Sequence, residues 1–475
     1  MNGTSVPQQN DHQNGIGVNG TKEDRGSTLS TKDCASFVAS LKFGDLPSDA
    51  IGKLRTYFLD YIGVAAGATT LAESTGPFLD AIKTLDGGGK ATVMANGQSW
   101  SPHYAAMLNG AFAHSLDFDD THAVATLHPG VSVFSAALAE AEKEPTSTVE
   151  EFFTAAAAGY EITCRIGCSI STTGYERGFH NTGTAGLFGA IAAISSLRKL
   201  SAAVIENAFG FAISMASGSM QYLANGSWNK RLHPGISAHN AFICTAMAES
   251  GGLGAAEPLE GKYGLLNAYG NSKAVPQVKI GPFKEHWMFV TSAIKPFPAC
   301  RITHGQIELA NEMRKKSNAE VKSLTVWIGE GGYALVGTAV PNKTHPNNIV
   351  DAQFSSYFQT VVAWLYGSGL VWKVYDHIGD PAVNKLLDRV TVKVNDSYSL
   401  LESSLDVEYE DGTTVREHLK APLGEPENPI TWEGVATKFM GITVDAYGEE
   451  RAKQICDTVK HLEKHGISSL AKLVS

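Results

Sequence analysis

The sequence has few cysteines, and their spacing forms no recognised pair. Six cysteines occur in 475 residues, at positions 34, 164, 168, 244, 300 and 456. None belongs to a Cys-x-x-Cys pair, and Cys164 and Cys168 lie one helical turn apart, which is typical of two small core residues on one face. This usage excludes a disulfide framework and indicates free thiols in a reducing compartment.

Long apolar runs and basic runs are also missing. No stretch approaches the roughly 20 apolar residues that a membrane helix needs, so we expect no membrane partner. The net charge of −10 and the lack of a basic run argue against a nucleic-acid surface. Residues 1–30 are polar and lack the apolar segment of a signal peptide. They predict a disordered tail on a cytoplasmic protein, with a mitochondrial location left open.

Hydrophobic periodicity divides the rest of the chain into three parts. Residues 31–272 repeat apolar residues at helical spacing, which predicts one large all-helical domain. Residues 273–425 contain β-branched runs interleaved with helical patterns, and Asp411-Gly412 lies between two alternating runs, as in a hairpin. Residues 426–475 return to a helical pattern and are predicted to pack on the first domain. The predicted fold class is therefore mainly α, with a smaller α+β domain.

The most polar interruption of the helical region is the stretch Leu116–Gly130, read as LDFDDTHAVATLHPG. Alanine-rich helical sequences flank it on both sides. Its polar side chains are Asp117, Asp119, Asp120, Thr121, His122, Thr126 and His128. Burying carboxylates and imidazoles costs on the order of several kcal/mol unless they are paired, so packing does not explain the stretch. We interpret it as a functional site rather than a structural network of hydrogen bonds.

Cationic side chains and further histidines gather in four other segments. The segments GFHNTGTAG, SWNKRLHPG, IKPFPACRITHG and NKTHPNN contain His180; Lys230, Arg231 and His233; Lys295, Arg301 and His304; Lys343 and His345. Each cluster lies in a loop or at a predicted helix start, where free backbone N–H groups receive anions. Fixed cations stabilise charge that develops on carboxylate oxygens, and an imidazole or carboxylate moves the proton. The pattern therefore predicts a small di- or tricarboxylate substrate.

Less specific interpretations remain open for the same residues. The Asp and His side chains of Leu116–Gly130 have the chemistry of a divalent-cation site. Alternatively, Asp117 or Asp119 caps the following helix. Lys230 and Arg231, taken alone, are typical of a solvated loop. Other histidines are typical of helix residues with satisfied hydrogen bonds: His114, His239 and His304.

The quoted motifs resemble the MmgE/PrpD family, which includes 2-methylcitrate dehydratase, cis-aconitate decarboxylase and an iminodisuccinate epimerase. The matching segments are DFDDT followed by HPG, GFH before a glycine-rich helix, KRLHPG, KPFPACR and DAQFS. The resemblance implies a helical domain and a smaller α+β lid domain with the active site between them. It also implies a homodimer and neither a metal nor an organic cofactor. The family's pocket residues fall here on Asp117, Thr121, His128, His180, Lys230 and Lys295, to which we add Arg231 and Arg301 as candidate substrate-binding residues.

The motifs do not separate the reactions of the family. We predict dehydration of a 2-methylcitrate or 2-alkylcitrate type of tricarboxylic acid, because many cations facing one cleft would hold every carboxylate and disfavour loss of CO₂. That argument requires most of the cations Lys230, Arg231, Lys295, Arg301 and Lys343 to face the cleft. The alternatives are decarboxylation of a cis-aconitate type of acid, epimerisation next to a carboxylate, and a catalytically silent tricarboxylate-binding dimer.

Overall fold

The computed structural model describes residues 29–143, 146–270, 280–317 and 319–475. Residues 1–28 of the predicted tail and the predicted domain boundary at 272/273 lie outside the described residues. The predicted fold class is confirmed: most of the chain is helical, and one mixed sheet lies in the C-terminal half.

The N-terminal helices form the larger domain. Their bounds are α1 Thr31–Ser40, α2 Ser48–Leu71, α3 Thr75–Lys83, α4 Pro102–Ala113, α5 Gly130–Lys143, α6 Val149–Ile170, α7 Thr173–Glu176, α8 Asn181–Leu197, α9 Ala202–Ala212, α10 Asn229–Glu249 and α11 Leu265–Ala268. A short antiparallel pair, β1 Ala91–Thr92 and β2 Ser99–Trp100, precedes α4. Short 3₁₀ turns cover Phe43–Asp45, Met220–Ala224 and Phe289–Thr291.

Small residues allow the central helices to approach closely. A Cβ atom added to Gly110 of α4 would lie 2.9 Å from the Cα atom of Gly235 in α10. That distance is shorter than any ordinary carbon contact, so only glycine fits at this crossing. The crossing brings the first turn of α10 next to the end of α4, where the polar loop begins.

The smaller domain contains a four-stranded sheet covered by helices. Its helices are α12 His304–Lys316, α13 Glu330–Gly332, α14 Pro341–Thr344, α15 Ile349–Gln353, α16 Ser356–Tyr366 and α17 Pro381–Leu387, and its strands are β3 Val321–Ile328, β4 Val390–Val394, β5 Ser403–Tyr409 and β6 Thr414–Leu419. Further turns cover Arg301–Thr303, Tyr333–Gly337 and Ser368–His377. The strand order is β4-β3-β5-β6, with β3 parallel to β4 and antiparallel to β5.

The predicted hairpin is confirmed. Strands β5 and β6 pair antiparallel, from Ser403 opposite Leu419 to Glu408 opposite Thr414. Gly412 in the connecting turn has a φ of +86°, which a side chain would disfavour. The Asp-Gly signal therefore located this turn correctly.

Two hydrophobic cores organise the molecule. The first core contains residues from 29–294 and also from 435–474. The second core contains residues from 299–409 and lies in the smaller domain, and we call that domain the lid domain. The C-terminal helices are α18 Trp432–Tyr447, α19 Glu449–Lys460, α20 Leu462–His465 and α21 Ile467–Val474. They pack on the first core, with α18 against α2. Among the described helices, none is long and apolar enough to cross a membrane.

Candidate active site

The site is built on the loop that joins α4 to α5. This loop has little regular structure, but Thr121 pairs with Ala293 through two backbone hydrogen bonds of 2.8 and 2.6 Å. Asp117 has a φ of +51°, a conformation that is unfavourable for a residue other than glycine. Strain of this kind persists only where surrounding contacts enforce it, and it occurs frequently at functional sites.

Asp117 is held between two buried lysines. Its Oδ1 atom accepts a hydrogen bond from the ammonium group of Lys230 and lies 3.0 Å from Nζ of Lys295. Burial favours the neutral carboxyl, but the two ammonium groups outweigh it and hold the pKa of Asp117 below its ordinary value. Asp117 is therefore ionised, and it keeps two cations side by side at the cavity wall.

Asp119 faces two imidazoles instead of lysines. Its Oδ2 atom lies 2.8 Å from Nδ1 of His114 and 2.9 Å from Nδ1 of His128. Burial lowers the pKa of His114 to about 4 and lowers the pKa of His128, although Asp119 opposes both shifts. Both rings are thus neutral at neutral pH, and Asp119 fixes their orientation because each presents Nδ1 to the same oxygen.

Asp120 and His122 have structural partners. Oδ1 of Asp120 accepts a hydrogen bond of 3.1 Å from the backbone N–H of Gly130, so Asp120 receives the first N–H of α5. Neither Asp117 nor Asp119 caps that helix, contrary to one of the interpretations above. Burial, together with the charge of Asp119, raises the pKa of Asp120 to about 8. His122 contacts the Met288 carbonyl oxygen at 3.1 Å through Nε2.

His180 lies behind this cluster. It immediately precedes α8, is fully buried, and places Nδ1 3.0 Å from Nδ1 of His233. Its ring stacks on His114 with centroids 5.6 Å apart. Burial is the main cause that holds the pKa of His180 well below its ordinary value. His180 supports the imidazole cluster and does not line the cavity described next.

A cavity of about 370 Å³ lies between the loop and the lid domain. The end beside the loop is polar and includes Asp117, Thr121, His128, Lys230, Lys295 and Tyr222. The rest of the wall contains apolar residues, which are Leu127, Met220, Ile302, Ala334, Leu335, Phe354, Leu400 and Leu401, and further polar ones, which include Tyr175, Glu176, Cys300 and Arg301. Most of the apolar residues belong to the lid domain, and the ammonium group of Lys230 lies 5.1 Å from the centre of the Phe354 ring. The lid side of the cavity is therefore mainly apolar and directly adjoins the lysines.

The other predicted cations are distributed differently. Arg231 does not line the cavity; it donates a hydrogen bond of 3.0 Å to Ser74 and lies 3.7 Å from a carboxylate oxygen of Glu73. Arg301 does line the cavity, but its Nε atom donates a 2.7 Å hydrogen bond to Glu425.

Lys343 is directed into the lid domain. Its ammonium group donates to the backbone carbonyls of Leu335 and, at 3.2 Å, of Phe354. Lys230 and Lys295 share the single carboxylate of Asp117, so together they carry an excess positive charge that can meet a substrate, whereas the charge of Arg301 is matched by Glu425.

Two family matches together cover most of the chain. The MmgE/PrpD N-terminal domain matches residues 32–277, and the MmgE/PrpD C-terminal domain matches residues 297–464. The chain belongs to the MmgE/PrpD family. The suspected resemblance is therefore confirmed over both domains.

Several curated proteins that are similar to this MmgE/PrpD chain are named cis-aconitate decarboxylase or cis-aconitate decarboxylase-like protein. It is 26% identical over 477 residues to the cis-aconitate decarboxylase-like protein oryM of Aspergillus oryzae, covering 94% of this chain and 97% of the relative. It is 26% identical to a cis-aconitate decarboxylase of Aspergillus terreus over 94% of this chain and 96% of that protein. The human cis-aconitate decarboxylase is also 26% identical, over 91% of this chain and 92% of the relative.

Several residues around the MmgE/PrpD cavity were not singled out by their sequence signals. His114 pairs with Asp119 and is central to the imidazole cluster, although its sequence context is that of an ordinary helix histidine. Cys300 and Tyr175 line the cavity. Cys300 lies in the segment IKPFPACRITHG, which was already a candidate part of the site because it contains Lys295 and Arg301. No feature of the sequence indicated Tyr175.

One side-chain group has the composition of a metal site. Ligand atoms of His114, Asp119 and His128 all lie within 4.8 Å of one another. In the structure, Nδ1 of His114 forms a 2.8 Å hydrogen bond with Oδ2 of Asp119, and Nδ1 of His128 lies 2.9 Å from the same oxygen without hydrogen-bond geometry. A chelator would inactivate the protein if these side chains bind a catalytic metal, and would leave it active if they form only a hydrogen-bonded cluster. Activity after chelation therefore distinguishes the two interpretations.

Proposed function

We propose that this protein is a cofactor-independent carboxy-lyase that removes CO₂ from an unsaturated tricarboxylic acid of the cis-aconitate type. The observation that carries the proposal is the uneven charge of the cavity. Lys230 and Lys295 lie together at Asp117, whereas the lid side is apolar apart from Cys300 and Arg301, and the guanidinium of Arg301 is paired with Glu425. A substrate carboxylate bound at the lysines is stabilised, and a second carboxylate directed toward the lid meets only this paired guanidinium.

This distribution changes the balance between the reactions. Dehydration was favoured on the condition that most cations face one cleft and hold every carboxylate. Arg231 and Lys343 have partners elsewhere, and the charge of Arg301 is paired with Glu425. Three of the five cations do line the cavity, but Arg301 has its own carboxylate and the two lysines share Asp117, so about one net positive charge is left to meet a substrate. This charge suffices to hold one carboxylate rather than all of them, so the alternative reaction, decarboxylation, fits the cavity better.

The electron flow follows from the positions of the charges. The bond between carbon and the departing carboxylate breaks, CO₂ leaves, and the electron pair moves through the double bond onto the carboxylate held by the lysines. Two ammonium groups already in place stabilise that developing charge without reorganising. The carbon that ends with the excess electron density then takes one proton, which balances the reaction.

His128 is the residue that we assign to this proton transfer. It lines the cavity, and its Nδ1 atom is engaged by Asp119, which leaves Nε2 available to a ligand. The pKa of His128 is low in the free protein because the ring is buried. A bound polyanion favours the protonated ring, so substrate binding itself would protonate His128 and prepare it to act as the acid.

The apolar wall supports a substrate that carries an alkyl group. A plain tricarboxylate offers nothing to Leu127, Leu335 or Leu401, whereas an alkyl substituent would cover them. Burial of each methylene contributes about 0.8 kcal/mol, or roughly fourfold in binding. We therefore include 2-alkyl derivatives of the tricarboxylic acid in the proposed substrate class. A homodimer remains a prediction of the family resemblance.

A second candidate, dehydration of a 2-alkylcitrate, has one specific observation in its favour. Among the described residues, Oδ2 of Asp117 and Oγ1 of Thr121 are buried without a hydrogen-bond partner, and both side chains line the cavity. Such groups suit a substrate hydroxyl. Thr121 and Asp117 would then position the hydroxyl that leaves as water.

Product analysis separates the candidates. The purified protein is incubated with cis-aconitate, a 2-alkyl-cis-aconitate, 2-methylcitrate and a longer 2-alkylcitrate, and products are followed by NMR and CO₂ release. We expect CO₂ and a methylene dicarboxylic acid from the unsaturated acids, with the citrates unchanged. Water loss from a citrate without CO₂ would establish the dehydratase instead. Solvent deuterium exchange without net product would indicate an epimerase, and binding without turnover or exchange a silent binding protein.

A further inference from the structure

Three successive backbone carbonyls of the site loop are held by side chains from distant parts of the chain. Nε2 of Gln353 donates a 2.9 Å hydrogen bond to the Leu116 carbonyl, and Nζ of Lys295 donates one of 2.8 Å to the Asp117 carbonyl. Nζ of Lys438 donates one of 2.6 Å to the Phe118 carbonyl. We call these three contacts the carbonyl clamp. Gln353 belongs to the lid domain and Lys438 to the C-terminal helix α18.

Lys438 is a member of the clamp that does not line the cavity. It is only 7% exposed and lies 2.6 Å from Oδ1 of Asp60, a buried carboxylate of α2. Its ammonium group also lies 3.8 Å from the centre of the Phe118 ring. A fully desolvated lysine is costly unless each of its hydrogen-bonding directions is used, so this arrangement fixes the ammonium group in place.

Phe118 separates the two functional carboxylates. Asp117 precedes it and holds Lys230 and Lys295, and Asp119 follows it and orients His128. The strained φ of +51° at Asp117 needs external contacts to persist. The peptide carbonyl between the two carboxylates is therefore a sensitive point at which to anchor the loop.

We propose that Lys438 is a positioning residue for the reaction, which acts by anchoring the Phe118 carbonyl so that Asp117 and Asp119 face the cavity at the correct spacing. It does not line the cavity and contacts no substrate. The ion pair with Asp60 keeps Lys438 under the loop. This inference relies on the proposed function only for its kinetic assay.

The kinetic test compares four variants with the wild type. We expect Lys438→Met to lower kcat at least about tenfold with a smaller change in KM, because the shifted loop misplaces Asp119 and His128 while Lys230 and Lys295 still supply cations to the cavity. Lys438→Arg, which retains a buried donor, should recover part of the loss. Lys453→Met is the matched control: Lys453 lies on the exposed surface of α19 and pairs with Glu449. It should behave as the wild type does.

The double variant Asp60→Asn with Lys438→Met tests the simplest competing explanation. Removing Lys438 alone leaves Asp60 buried without its partner, which destabilises a protein by itself. If the double variant regains wild-type kcat, the unpaired charge caused the loss and the proposal is overturned. We expect kcat to stay as low as in Lys438→Met, while the free energy of unfolding recovers.

A second measurement is independent of turnover. Amide hydrogen exchange in the segment 116–122 should accelerate in Lys438→Met and remain unchanged in Lys453→Met. The imidazole pKa of His128, followed by NMR, should fall further in Lys438→Met, because the displaced loop would carry Asp119 away from the ring whose pKa it raises. Unchanged exchange and an unchanged His128 pKa would overturn the proposal. Acceleration in a protein that lacks decarboxylase activity would refute the proposed function alone.

Discussion

At the scale of single residues, His128 is the side chain on which the proposed chemistry depends most. Its Nδ1 atom lies 2.9 Å from Asp119, which leaves Nε2 for the substrate. General acid–base groups contribute about 10²–10⁴-fold. We expect His128→Ala to lower kcat within that range and to leave KM nearly unchanged, as measured by steady-state kinetics. A near-normal kcat in a variant with a normal circular dichroism spectrum would remove His128 from the mechanism.

Lys230 is expected to act mainly on binding. Its ammonium group binds the substrate carboxylate in the ground state, and in its absence Lys295 remains to stabilise the charge that develops on that carboxylate in the transition state. We therefore predict that Lys230→Ala raises KM by at least about tenfold, with a smaller effect on kcat. Asp117 keeps Lys295 as a partner in this variant, so the loop should still fold. A kcat loss without a change in KM would contradict this division of roles.

At the scale of secondary-structure elements, the start of α5 depends on an uncharged acid. The pKa of Asp120 is raised to about 8, by burial first and by the charge of Asp119 second, from an ordinary value of 3.8. Between these values the folded protein binds a proton that the unfolded chain does not. The contribution of Asp120 to stability therefore decreases as pH rises toward 8, by at most about 1.4 kcal/mol per pH unit.

Asp120→Asn makes this linkage measurable. Asparagine has nearly the shape of the neutral acid and still offers an acceptor to the Gly130 N–H. We expect wild type and variant to be closest in stability near pH 4, the variant to become relatively more stable as pH rises from about 4 to about 8, and the difference to level off above pH 8. Urea unfolding at several pH values measures the difference. A constant difference across that range would mean that Asp120 is already ionised in the folded protein.

The elements themselves differ in how well their sequence patterns predicted them. The Asp411-Gly412 hairpin and the helical character of the first domain were predicted because turn chemistry and periodicity are local signals. The start of α10 was not. Lys230, Arg231 and His233 were expected before the next helix, yet α10 already begins at Asn229 and contains Pro234. Packing of this segment against α4 overrides the local preference.

At the scale of the whole molecule, the site was predictable as a set of segments but not as an arrangement. The polar loop and the segments of Lys230 and Lys295 meet at one cavity, as their chemistry suggested. Arg231 and Lys343 lie in equally cationic segments but point elsewhere. Side-chain direction depends on contacts between the two domains, which no local pattern encodes. For the same reason, the role of Lys438 could not be predicted, because the sequence of its own helix contains nothing that indicates a contact with Phe118.

The behaviour of the whole protein toward chelators tests the remaining interpretation of the imidazole cluster. Lys230 and Lys295 already supply cationic charge to a bound carboxylate, so we expect full activity after dialysis against EDTA. The measurement is CO₂ release before and after dialysis, with Mg²⁺, Mn²⁺, Fe²⁺ or Zn²⁺ then added back. Loss of activity that one of these ions restores would assign His114, Asp119 and His128 as metal ligands.

The carbonyl clamp also determines when, during synthesis of the chain, the active site can reach its final geometry. The contact between Lys438 and Phe118 spans 320 positions of the chain. Ribosomes add about 5–20 residues per second, so roughly 15 to 60 seconds separate the synthesis of the loop from that of its last anchor. During that interval the helical domain can collapse, but the peptide between Asp117 and Asp119 has no partner for its carbonyl. The catalytic geometry is thus completed late in synthesis, after the lid domain, and a ribosome-bound helical domain is expected to be inactive.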